Sequence, residues 1–149
     1  MTMKTMRRVG ALTLLVVGGV HLQQYLAGYS GVTTIGTLFM LNAIGAAVVA
    51  VGLLAPIERM SSERRADLAA GLLSATGALI AIGALAALFI SESQPLFGFM
   101  EAGYSTPIVI AIVSEAITTI LLVPVAAASL RKAASRDRPP RFSQPVSSR

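Results

Sequence analysis

The chain has 149 residues, 54% of them hydrophobic and 13% charged, with a mean hydropathy of +0.73. A soluble domain carries roughly 25% charged residues, so a water-soluble fold of this size could not hide so much apolar surface, whereas a bilayer can solvate it. Cysteine is absent and His21 is the single histidine, which excludes disulfides, thiol redox chemistry, cysteine-ligated clusters, lipoprotein modification and a histidine-rich metal site within one chain.

The net charge of +5 could point to nucleic acid, but its placement points to membrane topology. Basic residues stand in three clusters beside apolar segments, which is how orientation in a bilayer is encoded. No nucleic-acid partner is expected.

Lys4, Arg7 and Arg8 precede a first apolar stretch from about Val9 to Ala27. Tyr25 stands where a leader peptidase would require a small residue, so the segment is expected to be retained as a helix. A second stretch runs from about Thr34 to Ala55 and is stopped by Pro56. Ser61 and Ser62 precede Glu63 as capping candidates for a third, from about Asp67 to Ile90, and Pro95 breaks the chain after it. The fourth runs from about Thr106 to Leu130, with Pro107 in its first turn and Pro124 near its end. Each approaches the ~20 residues that cross the hydrocarbon core. Long, unalternating, Ala- and Leu-rich runs exclude strands. The expected fold is an all-α, four-helix integral membrane bundle over residues 1–130.

Arg59, Arg64 and Arg65 lie between the second and third stretches. Arg131, Lys132, Arg136, Arg138, Arg141 and Arg149 follow the fourth. With four spans all twelve basic residues fall on one side. The positive-inside rule makes that side cytoplasmic and the protein a multi-pass component of the plasma (inner) membrane with both termini inside. Residues 131–149 read as a disordered basic tail lying near anionic headgroups.

Ala27-Gly28-Tyr29-Ser30 recurs as Ala102-Gly103-Tyr104-Ser105. Omitting Gly31 and Val32 extends the pairing, Thr33 with Thr106 and Asn42-Ala43-Ile44 with Glu115-Ala116-Ile117. This pattern suggests a parallel 2+2 repeat about the membrane normal.

Glu115 lies about eight residues inside the fourth stretch, roughly 12 Å deep at 1.5 Å per residue. An acid there costs ~2.5–3.5 kcal/mol on the insertion scale, so it must face protein or water. Two readings fit: a proton-accepting or ligand-binding carboxyl, or a hydrogen bond locking two helices. Asn42 has similar depth, and His21, Gln24 and Tyr25 share a helical face. Thr118 and Thr119 follow Glu115 by one turn. These seven residues define the expected ligand or proton site. For His21 the structural reading, a bond to a carbonyl or headgroup, is the stronger one.

Glu92 and Glu101 flank Pro95-Leu96-Phe97-Gly98-Phe99, an apolar loop that reads equally as a lid, a docking surface or an interfacial anchor. Ala66, Ala70, Ser74 and Ala78 form a small-residue stripe suited to helix packing. Phosphate-loop, metalloprotease and nucleophile-elbow patterns are absent from the sequence.

The stretches Gly19–Tyr25, Thr34–Asn42 and Pro95–Glu101 resemble functionally uncharacterised small membrane proteins of actinobacteria. In span count and size the chain also resembles the DoxX family, four-helix proteins some of which are linked to quinone-coupled oxidoreductases. Asn42 stands where a DoxX-like protein can carry an acid, so no DoxX site is transferred here. The leading expectation is an accessory or small-ligand-binding protein with an outward-facing polar site around Glu115, and with no cofactor evident. The alternatives are a membrane subunit of a quinone- or lipid-linked oxidoreductase, or a small proton-coupled transporter. Either would work with a membrane protein partner or as a homo-oligomer.

Overall fold

The computed structural model describes residues 1–59, 62–101 and 103–136. Four helices account for most of them: α1 (Met3–Leu26), α2 (Thr33–Leu54), α3 (Glu63–Ser93) and α4 (Thr106–Ser135). All four are long and apolar enough to cross a membrane, and the described residues contain no strand. The fold is therefore that of a polytopic α-helical membrane protein.

Helix ends reach beyond the apolar stretches. α1 starts at Met3, six residues earlier than Val9, because Thr2 caps it: the Thr5 amide donates to the Thr2 hydroxyl. α3 has 31 residues and α4 has 30, about 45 Å each at 1.5 Å per residue. That exceeds a hydrocarbon core of about 30 Å, so their charged ends project past it. α4 continues to Ser135, so the start of the expected disordered tail is helical; residues 137–149 lie outside the described residues. Ser62 occupies the N-cap of α3 without a side-chain capping bond, and Ser61 lies outside the described residues. Pro107 stands in the first turn of α4 and Pro124 inside it.

α1 packs against α2 and α4, and α3 packs closely against α4 and more sparsely against α2. The core is made of small and branched residues: Ala11, Leu14, Val17, Ala46, Val49, Ala50, Leu53, Ala78 and Leu122. Lipid supplies no hydrophobic drive between helices, so association depends on such close packing. Gly77 illustrates it. A Cβ there would stand 2.8 Å from Leu122 Cδ1 and 3.0 Å from Leu14 Cδ2, so only glycine allows α3 this close. Of the small-residue stripe, Ser74 and Ala78 are buried and Ala66 and Ala70 half-buried. Large apolar side chains point outward, including Leu41, Val48, Val51, Leu79 and Ile120. On a soluble monomer so much exposed apolar area would be a liability; in a bilayer it meets acyl chains.

Charge is segregated in space as in sequence. Among the described residues every Lys and Arg lies at one end of the bundle, where α1 starts and α4 ends. Ion pairs tie its elements together: Arg7 Nη2 to Glu58 Oε1 at 2.8 Å, Lys4 to Glu58 at 3.6 Å, and Arg136 to both Glu63 and Asp67. The opposite end carries Glu92 and Glu101.

Candidate functional site

The site lies toward that acidic end, where the four helices enclose a cavity of about 410 Å3. Its lining is mostly aliphatic and aromatic, from all four helices and the loop between α3 and α4. The polar exceptions are His21, Gln24, Asn42, Ser91, Glu101 and Glu115.

Glu115 is 1% exposed. Its Oε1 lies 3.7 Å from His21 Nε2, and its Oε2 is buried with no hydrogen-bond partner. His21, also buried, has Nδ1 placed 2.9 Å from the Val17 carbonyl oxygen one turn earlier. In the neutral ring Nδ1 carries the proton and donates to that carbonyl. Nε2 is then a bare lone pair turned toward the carboxyl. At 3.7 Å the pair is longer than a hydrogen bond. A proton on either atom would join them once the side chains close to hydrogen-bond distance. Phe39 fixes the ring from the side, edge-on at 5.3 Å between centroids.

Asn42 approaches the cavity from α2, and its Oδ1 is likewise buried and unpartnered. Asn42 and Glu115 are each the tenth residue of their helix, so the two acceptors share a depth. The structure thus brings His21, Gln24, Asn42 and Glu115 to one cavity. Tyr25, Thr118 and Thr119 do not line it. The Thr118 hydroxyl donates to Thr13 Oγ1 at 2.8 Å, joining α4 to α1, and Thr119 donates to the Glu115 carbonyl at 2.8 Å. An interhelical bond such as Thr118–Thr13 contributes about 0.6 kcal/mol within a membrane bundle.

A loop roofs the cavity. Leu96 and Phe99 face each other across a tight turn, the Leu96 amide donating to the Phe99 carbonyl at 2.8 Å and the Phe99 amide donating back at 3.0 Å. Phe97 and Gly98, between them, have φ of 52° and 80°, the left-handed pair of a type I′ turn. Leu96 and Phe99 both line the cavity. Tyr29 fastens it. Its ring packs on Phe39 at 5.0 Å and Phe99 at 5.4 Å, and its hydroxyl donates to Glu101 Oε2 at 2.9 Å. Burial and then the Glu101 carboxylate push the Tyr29 phenol up to about 12.

The cavity opens sideways. Near the basic half, α2 and α3 touch: a Cβ on Gly52 would stand 3.1 Å from Leu73, and one on Gly45 3.4 Å from Ile80. One turn further along α3, a Cβ on Gly83 would meet nothing within 4 Å. Leu38, Leu41 and Leu79 line the cavity and are also exposed on the outside. They form the rim of a cleft between α2 and α3 facing the bilayer side of the bundle.

Phe39, Ser91, Phe99 and Glu101 are site residues that sequence reading did not gather. Glu101 and Phe99 belong to the loop that reads equally as a lid, a docking surface or an interfacial anchor, and that was their only signal. Among the described residues no group of three or more His, Asp or Glu is placed to hold a metal ion. No family model, curated protein or solved structure matches this chain.

Proposed function

We propose that this chain is an accessory membrane protein that binds a small lipid-soluble ligand in the cavity at the acidic end of the bundle. The carrying observation is Glu115 Oε2, a wholly buried and unpartnered carboxyl oxygen at the wall of a mostly apolar cavity. A buried polar atom without a partner costs roughly 1–3 kcal/mol, a penalty a ligand group would relieve. The cleft between α2 and α3 gives access from acyl chains, and the Leu96–Phe99 turn closes the end toward water. By the positive-inside rule the basic end is cytoplasmic and the cavity lies in the outer half of the inner membrane.

Gentle detergent purification followed by mass spectrometry of the organic extract tests the reading. A small apolar compound should accompany the wild-type protein and be depleted in Glu115→Gln and Gly83→Phe. An extract containing only bulk lipid, identical for all three, would end it. A quinone in that extract would instead support the oxidoreductase-subunit reading.

A proton-coupled transporter is a second reading, favoured by the proximity of His21 and Glu115. Two groups able to share one proton beside a binding cavity suit exchange of a proton for a substrate. Substrate-driven proton flux in liposomes, lost in Glu115→Gln, is its test.

A further inference from the structure

The cavity's charge is lopsided. Its lining contains two carboxyl groups, Glu101 and Glu115, and neither Lys nor Arg. Its fully buried unpartnered polar atoms are acceptors, Glu115 Oε2 and Asn42 Oδ1, and the neutral His21 ring adds Nε2 as a third, while the lining's side-chain donors are the Asn42 and Gln24 amides. The Ser91 hydroxyl is already spent as a donor on the Leu88 carbonyl at 2.8 Å, leaving its oxygen as an acceptor. Two aromatic rings, Phe39 and Phe99, stand in the same wall. A site with two carboxyl groups, buried unpartnered acceptor oxygens, two aromatic rings and neither Lys nor Arg has the chemistry that recognises a cation carrying N–H donors.

On the basis of the ligand-binding reading above, we infer that the ligand is a cationic amphiphile, a single apolar body ending in one ammonium group, admitted from the bilayer between α2 and α3. Its ammonium would donate to Glu115 Oε2 and Asn42 Oδ1, and its body would lie among Leu38, Leu79 and Phe99 toward the cleft. A volume of about 410 Å3 falls at the small end of the range of about 300–1,000 Å3 typical of small-molecule sites. It suits a one-chain or ring-bearing amine rather than a two-chain phospholipid.

The test uses the full chain in phosphatidylcholine nanodiscs at neutral pH with three probes sharing one alkyl body: dodecylamine, dodecanol and dodecanoate. Dodecylamine should bind at least about tenfold more tightly than dodecanol, the margin a charge-assisted hydrogen bond provides over a neutral one. Dodecanoate should not compete. Glu115→Gln should bring amine binding to the dodecanol level, and Asn42→Leu should weaken it severalfold should Glu115→Gln fail to fold. Dodecanol or dodecanoate binding as tightly as the amine would overturn the cation assignment while leaving a lipid-soluble ligand site intact. Absence of saturable binding by all three would overturn both. Loss of amine binding when phosphatidylethanolamine is added would assign the site to a lipid headgroup ammonium and overturn the free-amine assignment.

Discussion

Asn42 on α2 and Glu115 on α4 occupy the same register, each the tenth residue of its helix, and both present an unpartnered oxygen at one cavity. The tyrosines of the two Ala-Gly-Tyr-Ser copies behave alike as well. Tyr29 donates to Glu101 and Tyr104 to Glu92, at 2.9 and 2.8 Å, and the preceding Gly28 and Gly103 both have positive φ. The likeness stops at the seams. α1 packs firmly on α4, whereas its counterpart pair, α2 and α3, parts to form the cleft. A cavity open on one side is what that asymmetry leaves.

Glu115 sets the first prediction. Gln keeps its length and a hydrogen-bonding head but cannot exchange a proton or pair with a cation. Glu115→Gln should therefore insert and fold at wild-type level while losing ligand binding. Glu115→Lys places a cation beside His21 and should lower the membrane-inserted level, since a charge at such depth costs ~2.5–3.5 kcal/mol. Quantitative membrane blots and fluorescence-detected size exclusion would read both. Wild-type ligand content in Glu115→Gln would reduce the residue to a structural hydrogen-bonder.

The loop between α3 and α4 gives a second. Because its phenol is pushed up to about 12, Tyr29 holds its proton and keeps donating to Glu101 through the ordinary phenol range near 10. The contact is fully present below that value and is lost as pH rises through about 12. Ultraviolet titration should show one tyrosine ionising near 12, and Glu101→Gln should bring that group down. Tyr29→Phe should speed ligand release severalfold, consistent with loss of a hydrogen bond of about 1 kcal/mol, with little change in association.

The spans were legible because hydropathy over a long window is a bulk property, and so was the segregation of charge. Helix ends were not: the capping of α1 by Thr2 and the run of α4 to Ser135 lie in polar sequence that such a window does not register. Depth along a helix puts His21, Asn42 and Glu115 near one level, and all three line the cavity. Rotation about the helix axis is a different quantity. It turns Thr118 toward Thr13 on α1 and leaves Tyr25 outside the lining, though both share the depth of the site. The lateral opening depends on how far α2 and α3 diverge above Ile80, which no single-helix pattern encodes.

Orientation is the third prediction. With the basic end cytoplasmic, a periplasmically active reporter should be active when inserted near Ser30 or Gln94. It should be silent near Ser62 or after Arg131. Activity near Ser62 would reverse the assignment and place the cavity in the inner half of the bilayer.

Three glycines separate packing from access and give the last prediction. A methyl group at Gly36 would stand 2.6 Å from the Tyr29 carbonyl oxygen and 3.0 Å from Ser30 Cα, which is backbone and yields little. At Gly77 the neighbours are side chains, Leu122 and Leu14, but both are 0% exposed and have nowhere to go. Gly36→Ala and Gly77→Ala should each destabilise the bundle by roughly 1–3 kcal/mol, the usual cost of overpacking. Gly83 differs because nothing lies within 4 Å of its would-be Cβ, and Ala also suits a helix interior better than Gly by about 1 kcal/mol. Gly83→Ala should therefore hold or raise the melting temperature in detergent. Gly83→Phe should also fold, since the ring has the cleft to occupy, yet it would cover the lipid-facing opening. Of the two stable Gly83 variants, ligand content should then fall only in Gly83→Phe, with the apparent association rate reduced more than the release rate. A Gly83→Phe protein that loads ligand as fast as wild type would show that access does not run between α2 and α3.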